Sequence, residues 1–242
     1  MTGILATGTP AAGIPAAGPR TALVTGANRG IGRAVAAELY RRDLRVVVTA
    51  RDADAARAAA EEIGPEVRSH PLDVTDPDGV ARAAKEIGPV DILVSNAGVL
   101  LDAGTDPLSV PLELVEETLR VNLLGSWRVA QAFLPPMVAR GWGRVVLISS
   151  GTTAEFGGAL FAAAPGYSIS KSALNGLTTM LAAQTAGSGV LVNAVNPGRV
   201  RTRMMPAQQT LPEQAAPFIA DVATLPAGGP SGRFLTEKRG QS

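Results

Sequence analysis

Tyr167 and Lys171 stand four residues apart in the stretch YSISKSALNG (167–176), and Ser168 stands three residues before the same lysine. Two chemistries share this segment. Ser168-x-x-Lys171 is the nucleophile and base spacing of serine acyl-transfer enzymes, whereas Tyr167-x-x-x-Lys171 puts a phenol and an ammonium on one helix face, as a proton-transfer pair requires. A free phenol, with a pKa near 10, holds its proton too tightly for efficient acid/base work at neutral pH. At roughly 5 Å and an effective dielectric of about 20, an ammonium favours the phenolate by about 3 kcal/mol, on the order of two pKa units. The acyl-transfer alternative lacks its companions: there is no Ser-Asp-Asn, no Lys-Thr-Gly and no GxSxG elbow. The single histidine, His70, precedes Pro71 near an expected strand end and reads as structural or surface.

These side chains need a scaffold, and 242 residues with 46% apolar content can bury a sizeable core as one domain. Short β-branched runs alternate with Ala-rich, charge-flanked segments. TALVT (21–25), LRVVVTA (44–50), VRSHPL (67–72), VDILVS (90–95), RVVLISS (144–150) and VLVNAVN (190–196) read as strands, and GRFLT (232–236) as a last strand at the sheet edge. In GIGRAVAAELYRR the apolar positions Ile31, Ala34, Val35 and Leu39 recur at helical spacing. This β-α alternation predicts a single α/β domain, a doubly wound parallel β-sheet with helices on both faces (a Rossmann fold). Helical segments are expected around 112–139 and 167–186, with Pro135 and Pro136 ending or bending the first. Residues 1–19, rich in Gly, Pro and Ala, read as a disordered leader, residues 20–242 as the domain, and the Pro-rich stretch 203–230 as a substrate lid or surface excursion with one short helix. No run of about 18 apolar residues is present, so no membrane span is expected. A formal net charge of +1 gives no field that would select nucleic acid or an anionic membrane surface. The absence of cysteine removes disulfides, Cys-rich zinc sites and thiol catalysis and fits a cytoplasmic setting.

Directly after the first strand comes TGANRGIG (25–32), whose glycines let the chain turn tightly and aim backbone N–H groups at a pyrophosphate at the next helix N-terminus. Its spacing is GxxxGxG, not GxGxxG. At the end of the second strand, where a carboxylate would bind an adenosine ribose 2′-hydroxyl, stands Arg51, and Arg29 in the glycine turn points to the same place. Two guanidiniums there suit a 2′-phosphate, which predicts NADPH in preference to NADH.

From about Thr21 to Thr236 the chain resembles the short-chain dehydrogenases/reductases, and within them the carbonyl-reductase-type members. The resemblance rests on TGANRGIG, LDV (72–74), SNAG (95–98), Asn122 in VNLLG, YSISK and NPGRVRT (196–202), in that order. TARD (49–52) and the tail GPSGRFLTEKR (229–239) add to it. Two departures stand out: Ser95 replaces the family's first asparagine, and a C-terminal Asp-Gly-Gly segment, which carries common tetramer contacts, is absent.

The resemblance implies NADP(H) held by Gly26, Asn28, Arg29, Gly30, Ile31, Gly32 and Arg51. Asp73 and Val74 would meet the adenine, Asn96, Ala97 and Gly98 the adenosine ribose, and Pro197, Gly198, Val200 and Thr202 the nicotinamide end. It implies a catalytic tetrad of Asn122, Ser150, Tyr167 and Lys171, with Tyr167 and Lys171 also contacting the cofactor. Neighbouring strand residues face opposite sides, so only one of Ser149 and Ser150 can face the substrate; the family pattern selects Ser150, with Ser149 as the alternative. The implied activity is reversible reduction of a ketone or aldehyde to an alcohol. In it Tyr167 gives the proton, Ser150 bonds the carbonyl oxygen, Lys171 also grips the nicotinamide ribose, and Asn122 holds a water that links Lys171 to solvent. A non-catalytic dinucleotide-binding sensor is the alternative. Phe156, Leu160 and Phe161 in the segment 151–166 point to an apolar, uncharged carbonyl substrate. No metal is expected, and a homo-oligomer, dimer or tetramer, is.

Overall fold

The computed structural model describes residues 18–152 and 161–237; most of the leader and the middle of the segment 151–166 lie outside them. The strands are β1 Thr21–Val24, β2 Arg45–Ala50, β3 Arg68–Pro71, β4 Ile92–Ser95, β5 Gly143–Ile148, β6 Val190–Asn196 and β7 Phe234–Thr236. They form one seven-stranded sheet in the order β3-β2-β1-β4-β5-β6-β7, every neighbouring pair parallel. The expected doubly wound sheet is therefore the fold.

The continuous apolar runs are explained by burial on both faces, because alternate residues of each strand serve different cores. Leu23, Leu93, Val145 and Leu147 join one cluster, and Ala22, Val24, Ile92, Val94, Val146 and Ile148 join the other. Helices α3 (Pro77–Ile87), α5 (Ser126–Ala139) and α6 (Pro165–Gln184) cover the first face. Helices α1 (Gly30–Arg41), α2 (Ala53–Ile63) and α7 (Pro212–Ala223) cover the second. Between α3 and α5 runs α4, Leu112–Leu119, which continues through a π-helical stretch, Arg120–Gly125, into α5.

Two local readings need correction or refinement. Helix α5 runs through Pro135 and Pro136 to Ala139. Phe133, Leu134 and Met137 are buried in the core beneath that turn, and their burial outweighs the backbone bonds the two prolines cannot make. The irregularity sits instead at Arg120–Gly125, where Gly125 lies so close to Val74 that a Cβ there would fall 2.6 Å from its Cγ2. Within 203–230, the part Pro212–Ala223 is a helix whose Ala216, Ile219, Ala220 and Ala223 are buried in the core of the second face. Arg42 fastens it to α1, bonding Pro217 O at 3.2 Å and pairing with Asp221 at 2.8 Å.

At the opposite end of the sheet from the strand C-termini, Arg144 is 1% exposed. Its guanidinium donates to the carbonyls of Leu225 (2.6 Å), Gly143 (2.7 Å) and Gly189 (3.0 Å) and stacks on Trp142 at 4.3 Å. Burial lowers its pKa to about 10.

Candidate active site

The sheet's strand order reverses between β1 and β4, and the residues singled out above collect at the C-terminal ends of β1, β2, β4, β5 and β6, around that crevice. The floor is the turn from β1 into α1. Gly26 has φ +62°, and a Cβ there would lie 2.9 Å from Ala97 Cα; a Cβ on Gly32 would lie 2.4 Å from Asn96 Nδ2 and 2.6 Å from Gly26 O. Only glycine lets the two loops lie this close. Asn96 locks them together, its Nδ2 donating to Thr25 O (2.9 Å) and Gly26 O (3.1 Å), while the Thr25 hydroxyl accepts from the amides of Asn96 and Ala97, both at 3.0 Å.

Arg29, the residue before α1, provides no side-chain cap and no acidic residue occupies the first turn, so the helix presents its N–H groups and positive end without a carboxylate of its own. That is the arrangement an anion such as a pyrophosphate fits. Across the crevice, a Cβ on Gly30 would lie 3.7 Å from the Thr202 methyl, so the segment after β6 meets the glycine turn. Gly198 has φ +79° and its amide donates to Asn196 Oδ1 at 3.0 Å, while Val200 is 2% exposed and bridges Thr210. Pro197 is buried; Asn28 and Ile31 are half-buried in the glycine turn.

Beside the glycine turn, the pKa of Arg29 is lowered by burial and by the charges of Arg203 and Arg51. Three guanidiniums thus share one neighbourhood, and Arg203 joins the two arginines read from the sequence. Burial works to raise the pKa of Asp73, but bonds from the hydroxyl (2.7 Å) and amide (2.8 Å) of Thr75, with Arg51 and Arg120 nearby, hold it below the usual carboxylate range. Val74 is buried against Gly125.

The reactive side chains meet at the start of α6. Tyr167 and Ser150 share a side-chain hydrogen bond, and Lys171 Nζ lies 5.6 Å from the centroid of the Tyr167 ring. Ser150 Oγ also accepts from the amide (3.2 Å) and hydroxyl (3.1 Å) of Thr152. Ser149 turns the other way, buried, with its hydroxyl 3.5 Å from Lys171 O. Ser168 Oγ donates to Phe161 O at 2.8 Å while Lys171 Nζ donates to Ile148 O at 2.7 Å, so the two groups of an acyl-transfer pair are engaged elsewhere. His70 pairs with Glu86 at 2.8 Å, away from this cluster.

Asn122 sits in the π-helical stretch, fully buried. Its Oδ1 accepts from Val99 N (2.8 Å), and its Nδ2 donates to Val99 O (2.9 Å) and to Ser170 Oγ (2.9 Å). Ser170 in turn donates to Tyr167 O at 2.7 Å. The Asn122 side chain therefore stitches the loop after β4 to the backbone of the tyrosine. A Cβ on Gly98 would lie 3.1 Å from Asn122 Oδ1 and 3.6 Å from Lys171 Nζ, which brings the loop after β4 beside both.

The electrostatics differ from the simple two-charge expectation. Burial pushes the Tyr167 phenol above its ordinary value, with the Ser150 bond pulling the other way, and burial lowers Lys171 to about 8. Taking both groups out of water outweighs the attraction between ammonium and phenolate. Thr25, Asp102, Ser170 and Arg203 were not read as site residues. Thr25 opens the glycine motif and Ser170 lies within YSISK on α6, so both could have been; Asp102 and Arg203 lie in loops whose approach depends on the fold.

A model of the short chain dehydrogenase family matches residues 20–212. The chain belongs to the short-chain dehydrogenase family. It is 38% identical over 197 residues to the 3-oxoacyl-[acyl-carrier-protein] reductase FabG of Aquifex aeolicus, covering 76% of this chain and 75% of that one. It is 36% identical over 223 residues to the oxidoreductase UcpA of Escherichia coli K12, covering 84% and 79%. Among solved structures, one described as an NAD(P)-dependent gluconate 5-dehydrogenase from Beutenbergia cavernae, with bound NADP at low occupancy, superimposes with a TM-score of 0.77 at 32% identity, covering 91% and 95%. Family membership makes this short-chain dehydrogenase an oxidoreductase with a Rossmann-like single domain.

Proposed function

We propose that this chain is an NADPH-dependent oxidoreductase that reversibly reduces a ketone or aldehyde to an alcohol, with Tyr167 as the acid/base. The observation that carries the reading is the junction of half-buried Tyr167 and Ser150 with buried Lys171, a hydrogen-bonded phenol and hydroxyl with an ammonium 5.6 Å from the ring. A bound nicotinamide supplies the hydride. Ser150 orients the carbonyl oxygen through its hydroxyl, so that charge developing there meets a preformed donor. Tyr167, its hydroxyl hydrogen-bonded to Ser150, delivers the proton to that oxygen. Lys171 grips the nicotinamide ribose and favours the phenolate left behind. Asn122 holds the loop that carries Gly98 beside Lys171 and acts on the tyrosine through Ser170. A water at Asn122 would reload the proton.

The dinucleotide would lie along Gly26, Asn28, Arg29, Gly30, Ile31 and Gly32, with Asp73, Val74, Asn96, Ala97 and Gly98 at the adenosine and Pro197, Gly198, Val200 and Thr202 at the nicotinamide. Arg29, Arg51 and Arg203 supply charge for a 2′-phosphate. The bound NADP of the gluconate dehydrogenase relative and the 3-oxoacyl substrate in the name of the FabG relative favour the same chemistry. Among the described residues no helix is long and apolar enough to cross a membrane, and a cytoplasmic enzyme fits this reading. Exposed Leu112 (67%), Leu124 (46%), Ile169 (48%) and Met180 (61%) on α4 to α6 favour a homo-oligomer.

The test is oxidation of NADPH, and of NADH at equal concentration, against a panel of aldehydes, ketones, 3-oxoacyl thioesters, quinones and steroids. Consumption of NADPH with at least one carbonyl class is expected. Faster turnover with NADH would defeat the arginine assignment, and no turnover with any carbonyl would leave the sensor reading.

A further inference from the structure

Helix α6 begins at Pro165, which has no N–H to satisfy, and the side chain of Ala164 before it offers no cap. Ser168 N is taken by Ala164 O at 2.9 Å. The amides of Gly166 and Tyr167 remain, and both go to one carboxylate 64 and 65 residues back: Asp102 Oδ2 accepts from Gly166 N at 2.5 Å, and both its oxygens lie 3.3 Å from Tyr167 N. Asp102 is 0% exposed, and no ion pair reaches it among the described residues. A Ser or Asp at 164 would cap the helix locally; here the cap is supplied instead by a fully buried carboxyl from a distant loop. The fit is close, since a Cβ on Gly166 would lie 3.1 Å from Asp102 Oδ2 and 3.1 Å from Val115 Cα. The loop is clamped again where Gly104 N donates to Ala163 O at 2.8 Å. Asp102 stands four residues after Gly98, on the loop whose Val99 is held by Asn122.

We propose that Asp102 is a positioning residue for Tyr167, fixing the backbone at the start of α6 so that the phenol meets Ser150, in register with the loop Asn96–Gly98 that floors the cofactor crevice. The inference rests on the proposed role of Tyr167, and its test reads the phenol separately from turnover. The chain has two tyrosines, so in a Tyr40→Phe background the ultraviolet tyrosinate band titrates Tyr167 alone. The groups meeting Tyr167 are Lys171 from its own helix, Ser150 from the end of β5 and Asp102 from the loop after β4. In Asp102→Ala the elevated midpoint falls toward that of a free phenol, and kcat falls by about a hundred-fold, as expected for a displaced acid. NADPH affinity stays unchanged. Asp102→Asn, which keeps one carbonyl oxygen, recovers part of both, and it carries the same test should Asp102→Ala not fold. An unmoved midpoint and kcat in a folded variant that is merely less stable would overturn the proposal and leave Asp102 a helix cap. If the wild type turns over no carbonyl yet the midpoint still moves, the proposed activity fails while the positioning role stands.

Discussion

Lys171 is only 4% exposed, and its ammonium donates to one neutral carbonyl, Ile148 O. In the unfolded chain the lysine holds its proton to an ordinary value of 10.5, and in the fold it releases it near 8. Between those values the unfolded state binds more protons, so stability rises with pH. Urea denaturation of the cofactor-free protein should show a gain between about pH 8 and 10, at most about 3 kcal/mol, that is absent in Lys171→Met. Tyr167 acts in the opposite sense only above its ordinary value of 10, where the fold retains a proton the unfolded chain has lost. The pairing of Tyr167 with Lys171 was legible in the sequence because four residues make about one helical turn, whereas the choice of Ser150 over Ser149 came from the family resemblance. The direction of the phenol's shift was not legible, because spacing gives a distance and not the burial that decides the balance. Asp102 was invisible for another reason: its partners, Gly166 and Tyr167, lie across a loop that no local pattern connects to it.

Elements were read well where hydrophobic period and glycine turns agree. Each of the expected strands forms within a few residues, the central ones because buried parallel strands are continuous apolar runs, while the edge strands β3 and β7 are not buried. Pro135 and Pro136 misled because their local preference is overridden by the burial of Phe133, Leu134 and Met137, and the π-helical stretch around Asn122 carries no pattern in the sequence. The turn between β1 and α1 makes the sharpest prediction at this scale. Gly32→Ala would drive a methyl into Gly26 O and Asn96 Nδ2, so it should destabilise the protein by about 1–3 kcal/mol. NADPH affinity should fall with it, since the displaced backbone is the cofactor floor; denaturation and fluorescence titration of the same variant check both.

Across the whole molecule the two ends of the sheet do different work. The C-terminal ends of the strands gather the reactive residues, and the other end is tied by Arg144, which joins β5, the exit of α7 and the loop before β6. Arg144→Met leaves three carbonyls without their donor and should lower stability by about 2 kcal/mol while kcat of the folded fraction stays unchanged; a proportionate loss of kcat would show that the ends are coupled. The doubly wound architecture and the place of the crevice were legible from alternation alone, whereas the burial of half of 203–230 as α7 against α1 emerges only from packing. The whole account depends on Tyr167 passing a proton beside a bound nicotinamide, and Tyr167→Phe tests it most directly. Measured beside the wild type, that variant should bind NADPH with unchanged affinity yet lose carbonyl-dependent NADPH oxidation by about a thousand-fold. Turnover equal to the wild type would contradict the account.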